Sequence, residues 1–186
     1  MRIVGGRHRG TRLASVRAGD VAAHLRPTSD RVRETIFNLL QNGCYGDPVE
    51  GARVLDLFAG TGALGLEALS RGAEFVLFVD NGVKAGGIIR ENIDTLRAIG
   101  LTNIFRRDAT RLGPALCAPF DLVFLDPPYG KALGRPALSR AREYGWLADD
   151  VLIVWEEGAQ QAVPEGFGIF DARRYGETWV HILHTL

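Results

Sequence analysis

Two short stretches hold residue types whose order could do chemistry. Residues 126–129 read Asp126-Pro127-Pro128-Tyr129, and a second stretch runs from Asp56 through Phe58, Ala59, Gly60 and Gly62 to Gly65. In the first, a carboxylate and a proline-fixed carbonyl precede an aromatic face. An exocyclic amino group on a nucleobase is a poor nucleophile, because its lone pair is delocalised into the ring. A carboxylate and a carbonyl that accept its two hydrogens draw them out of the ring plane, while a tyrosine offers a surface for the base to stack on. The plainer reading of the same four residues is a rigid proline loop.

In the second stretch Gly60, Gly62 and Gly65 spell G-x-G-x-x-G, which permits close backbone approach to a ligand and tight packing of the following helix. Asp80 stands 20 residues beyond Gly60, the offset of an acid that binds ribose hydroxyls. Both features suit a nicotinamide dinucleotide. Asp56 weighs against it, since a carboxylate just below the turn can accept glycine-loop amides or meet a ligand's ammonium through water. S-adenosylmethionine carries such an ammonium and has no pyrophosphate. A turn-stiffening carboxylate with no ligand role is the alternative for Asp56.

The elements that must position these groups follow from periodicity. ARVLDLF, EFVLFVD, NIFRRD, DLVFLD and DVLIVWEE read as strands, nearly all apolar. They alternate with helical patterns in GALGLEALSRG, closed by Gly72, in VKAGGIIRENIDTLRAIG, closed by Gly100, and in LGRPALSRAREYGWL. Such alternation predicts a parallel sheet covered on both faces. Glycines at 82, 86 and 87 put the start of the second of these helices in doubt. FGIFDARRYGETWVHILHTL has no room for a crossover, so it predicts two antiparallel strands joined at Gly176-Glu177. Ligands of such sheets sit at the carboxyl ends of the strands, where the glycine turn and Asp126–Tyr129 both fall.

Before this core, residues 2–16 read as a short hairpin or extended arm, and residues 17–27 as a loop ending in Pro27. Residues 28–42 form a helix with Thr28 or Ser29 as N-cap, Asp30 in the first turn, and Val32, Ile36, Leu39 and Leu40 at helical spacing. The chain divides into a basic arm, 1–27, and a main domain, 28–186. Net charge is zero, yet residues 1–33 hold eight arginines against Asp20 and Asp30, a local excess of +6 that leaves −6 on the rest. An arginine-rich end on an acidic body is a candidate footprint for a phosphate backbone. Ordinary surface ion pairs are the competing account of each arginine.

At 186 residues and 46% hydrophobic content, one well-filled core is expected. No apolar run is long enough to span a membrane and the N-terminus lacks a signal-peptide core, so a cytoplasmic protein is expected. Cys44 and Cys117 lie far apart without a C-x-x-C, which points to buried small hydrophobes rather than a disulfide or zinc site. His181 and His184 fall on opposite faces of a strand, so no metal site is expected. Trp146, Trp155 and Trp179 read as packing residues, and Glu156 and Glu157 as solvated strand-end acids.

Taken together, RIVGG-x-x-RG, LRPTSDRVRETIFNLL, LDLFAGTGALGLEALSRGA and DLVFLDPPY resemble the class I S-adenosylmethionine-dependent methyltransferases with a [DNS]-P-P-[YFW] motif. Among them the match is closest to the RsmD family, which methylates the 2-amino group of one guanine in bacterial 16S ribosomal RNA. The resemblance implies a doubly wound, mostly parallel seven-stranded α/β sheet of the Rossmann-like kind, with an antiparallel C-terminal hairpin and a small N-terminal hairpin and helix. It implies S-adenosylmethionine as cofactor, held by Asp56, Phe58, Ala59, Gly60, Gly62 and Gly65, with Asp80 on the ribose and Asp108 and the Ala109 amide at the adenine. Asp126, Pro127, Pro128 and Tyr129 become the catalytic clamp on the target base. Arg2, Arg7, His8, Arg9, Arg12, Arg26 and Arg31 become contacts to RNA, with Arg33 a further candidate; Arg31 and Arg33 could instead pair with Asp30 or Glu34 on their helix. The implied substrate is 16S ribosomal RNA in the small subunit or a late assembly intermediate, acted on by a monomer. Three rivals stay open: an adenine 6-amino methyltransferase, a nicotinamide-linked oxidoreductase, and a non-catalytic RNA-binding protein.

Overall fold

The computed structural model describes residues 1–15 and 29–186. Five strands, β1 (Arg53–Leu57), β2 (Phe75–Asp80), β3 (Thr102–Arg106), β4 (Phe120–Leu125) and β5 (Leu147–Glu157), precede a hairpin of β6 (Phe167–Tyr175) and β7 (Thr178–Thr185). They build one sheet in the order β3-β2-β1-β4-β5-β7-β6. The first five run parallel, and β7 is antiparallel to both of its neighbours. A seven-stranded, mostly parallel sheet with an antiparallel terminal hairpin is therefore what the sequence pattern predicts and what the chain forms.

The strands are apolar throughout because both faces are covered. Val54, Val76, Phe78, Leu122, Phe124 and Val154 point into one core cluster, and Leu55, Leu57, Leu77, Val123, Leu125 and Ile153 into the other, as strict alternation requires. Helix α1 (Asp30–Asn42) and helices α2 (Ala63–Ser70) and α3 (Val83–Thr95) contribute residues to the first cluster, and α4 (Gly134–Glu143) to the second. In α1 the cap is Ser29, whose hydroxyl accepts the Val32 N–H at 3.2 Å; Thr28 lies outside the described residues, as do Arg26 and the arm boundary at residue 27.

Helix ends show where sequence reading holds and where it slips. α2 closes on Gly72, with φ of 112° and hydrogen bonds from Ala73 N to Ala68 O and from Gly72 N to Leu69 O, the Schellman arrangement. α3 starts directly after Gly82 despite the glycines inside it, but it does not run to Gly100. It stops at Thr95, and the same two bonds recur as Ala98 N to Ile93 O and Arg97 N to Asp94 O. Here Arg97 takes the left-handed position at φ 53°, because the early turn buries Leu96 and Ala98. Arginine carries no sequence mark of that conformation.

The expectation that Cys44 and Cys117 are buried is also overturned: both are exposed. Each lies in a connection outside the helices and strands, where no periodic apolar face draws it inward. Trp146 and Trp155 are core residues. Among the described residues no helix is long and apolar enough to cross a membrane.

Candidate active site

Register puts the candidate residues at one edge of the sheet. Asp56 lies level with Phe78 on β2 and Phe124 on β4, so Asp80 and Asp126, each two residues further on, follow on the same face. From β1 the chain turns sharply through Phe58, at φ 60°, and Gly60 and Gly62, at φ 56° and 77°. Gly62 then serves as the N-cap of α2. Phe58 is the non-glycine residue of this turn in the left-handed region, a strain of the kind that collects at functional sites. Gly65 is required for a different reason: a Cβ there would come within 2.5 Å of the Phe78 ring and 2.7 Å of Val76. Its absence lets α2 descend onto the sheet.

Two acids pin the turn. Asp80 accepts the Gly60 N–H at 2.9 Å through one oxygen and the Gly82 N–H at 2.7 Å through the other. Asp56, 1% exposed, accepts the Gly65 N–H at 2.9 Å. Burial is the main reason its carboxyl sits well above the ordinary range, and the negative charges of Asp126 and Asp80 add to it against the pull of the Gly65 amide. A buried acid that disfavours its own charge gains from a cationic ligand. Past β3, Asp108 caps a short turn by accepting both the backbone N–H and the hydroxyl of Thr110 on one oxygen, and Ala109 is buried.

Opposite the turn, the Asp126 N–H donates to the Leu57 carbonyl at 3.4 Å, coupling the end of β4 to the end of β1. Pro127 is buried while Pro128 and Tyr129 reach the surface. The Tyr129 hydroxyl lies 3.2 Å from Thr178 Oγ1, and desolvation pushes it above the usual phenol range, with Asp126, Glu156 and Glu157 adding to the shift. Glu156 and Glu157 are not solvated strand-end acids; both are buried, on a stretch of β5 that β7 continues to pair, so it lies inside the sheet rather than at a free strand end. Glu157 accepts the Gly158 N–H at 3.1 Å. Thr178 was not singled out by its sequence, since nothing local links residue 178 to residue 129.

The arm folds as the hairpin reading predicts, with Arg2 and Arg12 bridged and Ile3 N–H bonded to Thr11 O at 3.0 Å. Its arginines divide into distinct groups. Arg33 is not a free cation for RNA: it is fully buried, paired with Glu67 at 3.3 Å and Asp30 at 2.8 Å, and bonded to the Arg2 carbonyl. Arg7 donates to the Leu69 carbonyl at 3.1 Å, and the His8 N–H to Ser70 Oγ at 2.9 Å. The hairpin tip thus sits at the C-terminal end of α2, about 12 Å from the glycine turn. Arg2 approaches Asp30 at 3.9 Å, while Arg9, Arg12 and Arg31 are exposed. Glu67, which also accepts the Val4 and Gly5 amides at 2.9 and 2.8 Å, is the anchor that sequence reading missed. A lone acid inside an otherwise apolar helix pattern was the available signal.

Among the described residues no cluster of His, Cys, Asp and Glu could hold a metal ion. The sheet order, the glycine turn and the acid at the end of β2 define the fold as that of the class I, Rossmann-like methyltransferases. A putative RNA methyltransferase from Pyrococcus horikoshii shares the fold at a TM-score of 0.72 and 22% identity over 94% of this chain and 93% of its own. The chain belongs to the RsmD-type methyltransferase family: the family model described as "Conserved hypothetical protein 95" matches residues 1–184. The putative rRNA methyltransferase YlbH of Bacillus subtilis is 39% identical over 98% of this chain and 97% of its own length. The ribosomal RNA small subunit methyltransferase D of Escherichia coli is 36% identical over 88% of this chain and 78% of its own. A solved putative methyltransferase, yhhF from Escherichia coli, superposes with a TM-score of 0.82 at 31% identity, covering 100% of this chain and 97% of that one.

Proposed function

We propose that the protein transfers a methyl group from S-adenosylmethionine to the exocyclic 2-amino group of a guanine in 16S ribosomal RNA, acting as a cytoplasmic monomer on the small subunit or a late assembly intermediate. One observation carries the reading. The buried Asp56 carboxylate, beside Asp80 and Asp126, underlies a glycine turn that faces a D-P-P-Y loop at the same sheet edge. The names of the relatives supply the substrate class.

The residues present fit the cofactor. The acidic floor of Asp56 and Asp80 suits a ligand with ammonium and sulfonium charges, and would repel a pyrophosphate. Asp56, Phe58, Ala59, Gly60, Gly62 and Gly65 would hold its methionine half, Asp80 the ribose, and Asp108 with the Ala109 amide the adenine. When bound, the cofactor supplies an activated methyl group on a positively charged sulfur.

The chain's own work is positioning. Asp126 and the Pro127 carbonyl accept the two amino hydrogens of the target base, turning the nitrogen lone pair out of conjugation, and Pro128 keeps that carbonyl's direction fixed. The Tyr129 face receives the base once it leaves its stack. Once methylated, the nitrogen would carry one proton too many, and Asp126 is placed to take it and pass it to solvent. Arg2, Arg9, Arg12, Arg26 and Arg31 serve the RNA backbone, with Arg7 and His8 holding the hairpin that presents them.

The test is incubation with labelled cofactor and small subunits from cells lacking the modification, followed by nucleoside identification. Label in 2-methylguanine is expected. Label in 6-methyladenine, or no transfer at saturating cofactor, overturns the reading.

A further inference from the structure

Beyond the D-P-P-Y loop, the ring of Tyr129 lies across the far end of the sheet. Its hydroxyl meets Thr178 Oγ1 at 3.2 Å. The ring also lies directly on Gly158, where an added Cβ would stand 3.0 Å from Cδ2 and 3.4 Å from both Cβ and Cγ of the tyrosine. These two contacts come from one place in the fold. The β5–β7 register pairs Glu156 with Val180 and Glu157 with Trp179, so the next step brings Gly158 opposite Thr178. A hydroxyl tether and a bare backbone platform thus form a single cross-strand position beyond the last ladder pair. The ring is fixed at its hydroxyl end and at one flank, yet 36% of the residue stays exposed.

Resting on the methyl-transfer reading above, we propose that Thr178 is a positioning residue for the reaction, acting through Tyr129. Thr178 holds the ring in the plane that receives the target base, and Gly158 keeps the space beneath the ring free of a side chain. The target base of an RNA reaches this ring only after leaving its stack, so a wandering ring lowers the fraction of bound substrate in reactive geometry. The loss therefore falls on kcat, while contacts to the rest of the RNA leave KM unchanged.

Thr178→Val keeps the side-chain shape and removes the hydrogen bond. It is expected to lower kcat on small subunits by about 3–10-fold, the range for one net hydrogen bond, with cofactor affinity unchanged and the thermal midpoint lowered by no more than about 4 °C. Thr178→Ser restores most of the rate, because the hydroxyl returns. In a Tyr129→Phe background Thr178→Val costs nothing more, since the bond is already gone. Gly158→Ala moves the ring directly and lowers kcat further. A Thr178→Val rate within about two-fold of the parent, or a loss that persists undiminished in the Tyr129→Phe background, overturns the proposal. A parallel loss of cofactor affinity does the same, as it marks a general structural role.

A readout without RNA separates this proposal from the function it rests on. The chain has four tyrosines, so 3-fluorotyrosine labelling gives a fluorine spectrum in which Tyr129→Phe assigns one resonance. Thr178→Val is expected to move that resonance; one that stays in place overturns the tether. If the resonance moves but the parent protein methylates no ribosomal RNA, the methyl-transfer reading fails and takes the positioning role with it.

Discussion

Two buried carboxylates eleven residues apart in the sequence meet opposite fates. Glu67 sits within α2 with both oxygens occupied: Val4 N–H and Arg33 Nε on one, Gly5 N–H and Arg71 Nε on the other. Asp56 sits beneath the N-terminal end of the same helix, with one hydrogen bond from Gly65 and two other acids near it. The first is charge fully compensated by the fold, and it locks the N-terminal hairpin to α2. The second is charge that the fold leaves under-compensated, the feature on which the proposed cofactor site rests. Burial alone says little about function; the partners decide.

The largest expected effect tests the compensated side. Glu67→Ala leaves buried Arg33 with only the half-exposed Asp30 to balance it and frees the two hairpin amides, so it should destabilise the protein by about 3–5 kcal/mol, read from urea unfolding. A loss below about 1.5 kcal/mol would mean the hairpin does not depend on this acid. Next, Asp126→Ala should lower transfer by about 100-fold or more while leaving cofactor affinity nearly intact. A comparable loss of both would make Asp126 structural and weaken the contrast.

Asp56→Asn probes the under-compensated side. The amide oxygen can still accept the Gly65 N–H, and the buried charge is gone. The folded-state pKa of Asp56 lies above the unfolded value of roughly 3.9, so its contribution to stability is full below that pH and is lost as pH rises through the folded value. Without cofactor, the variant should therefore be the more stable protein at pH 7, by about 1 kcal/mol. The gap should shrink towards pH 4, as read by thermal unfolding across pH. Cofactor affinity should fall about ten-fold. A variant less stable at pH 7 than at pH 4 relative to the parent reverses the assigned sign.

The smallest effect belongs to the exposed rim of the Glu67 network. Arg2 and Asp30 are both substantially solvated, so Arg2→Gln should cost no more than about 0.5 kcal/mol, vanishing at high salt. If it costs as much as Glu67→Ala, the network is cooperative out to its surface.

Much of the fold was legible because parallel strands covered on both faces have no choice but to be apolar, and because Gly72 and Ser29 mark helix ends chemically. The glycine turn and D-P-P-Y were legible for the same kind of local reason: their backbone demands are met by particular residues in sequence order. Arg33 was legible only in part: its pairing with Asp30 was one of the alternatives its helical spacing offered and is what forms, but its burial against Glu67, 34 positions away, has no local mark in an arginine-rich run. Glu156 and Glu157 looked like strand-end acids until β7 was seen to pair beside them within the sheet, and Arg97 ended α3 where glycine would have announced the turn.

The sequence by itself determined the element order, the glycine turn and the place of the D-P-P-Y loop proposed to receive a nucleobase, since each depends on spacing along the chain and on local backbone preference. The tertiary structure alone decided which buried charges are compensated by neighbours and which are not, and which threonine meets the Tyr129 hydroxyl. Desolvation and hydrogen bonding are settled by neighbours in space, and those neighbours come from elements 34 to 63 positions apart.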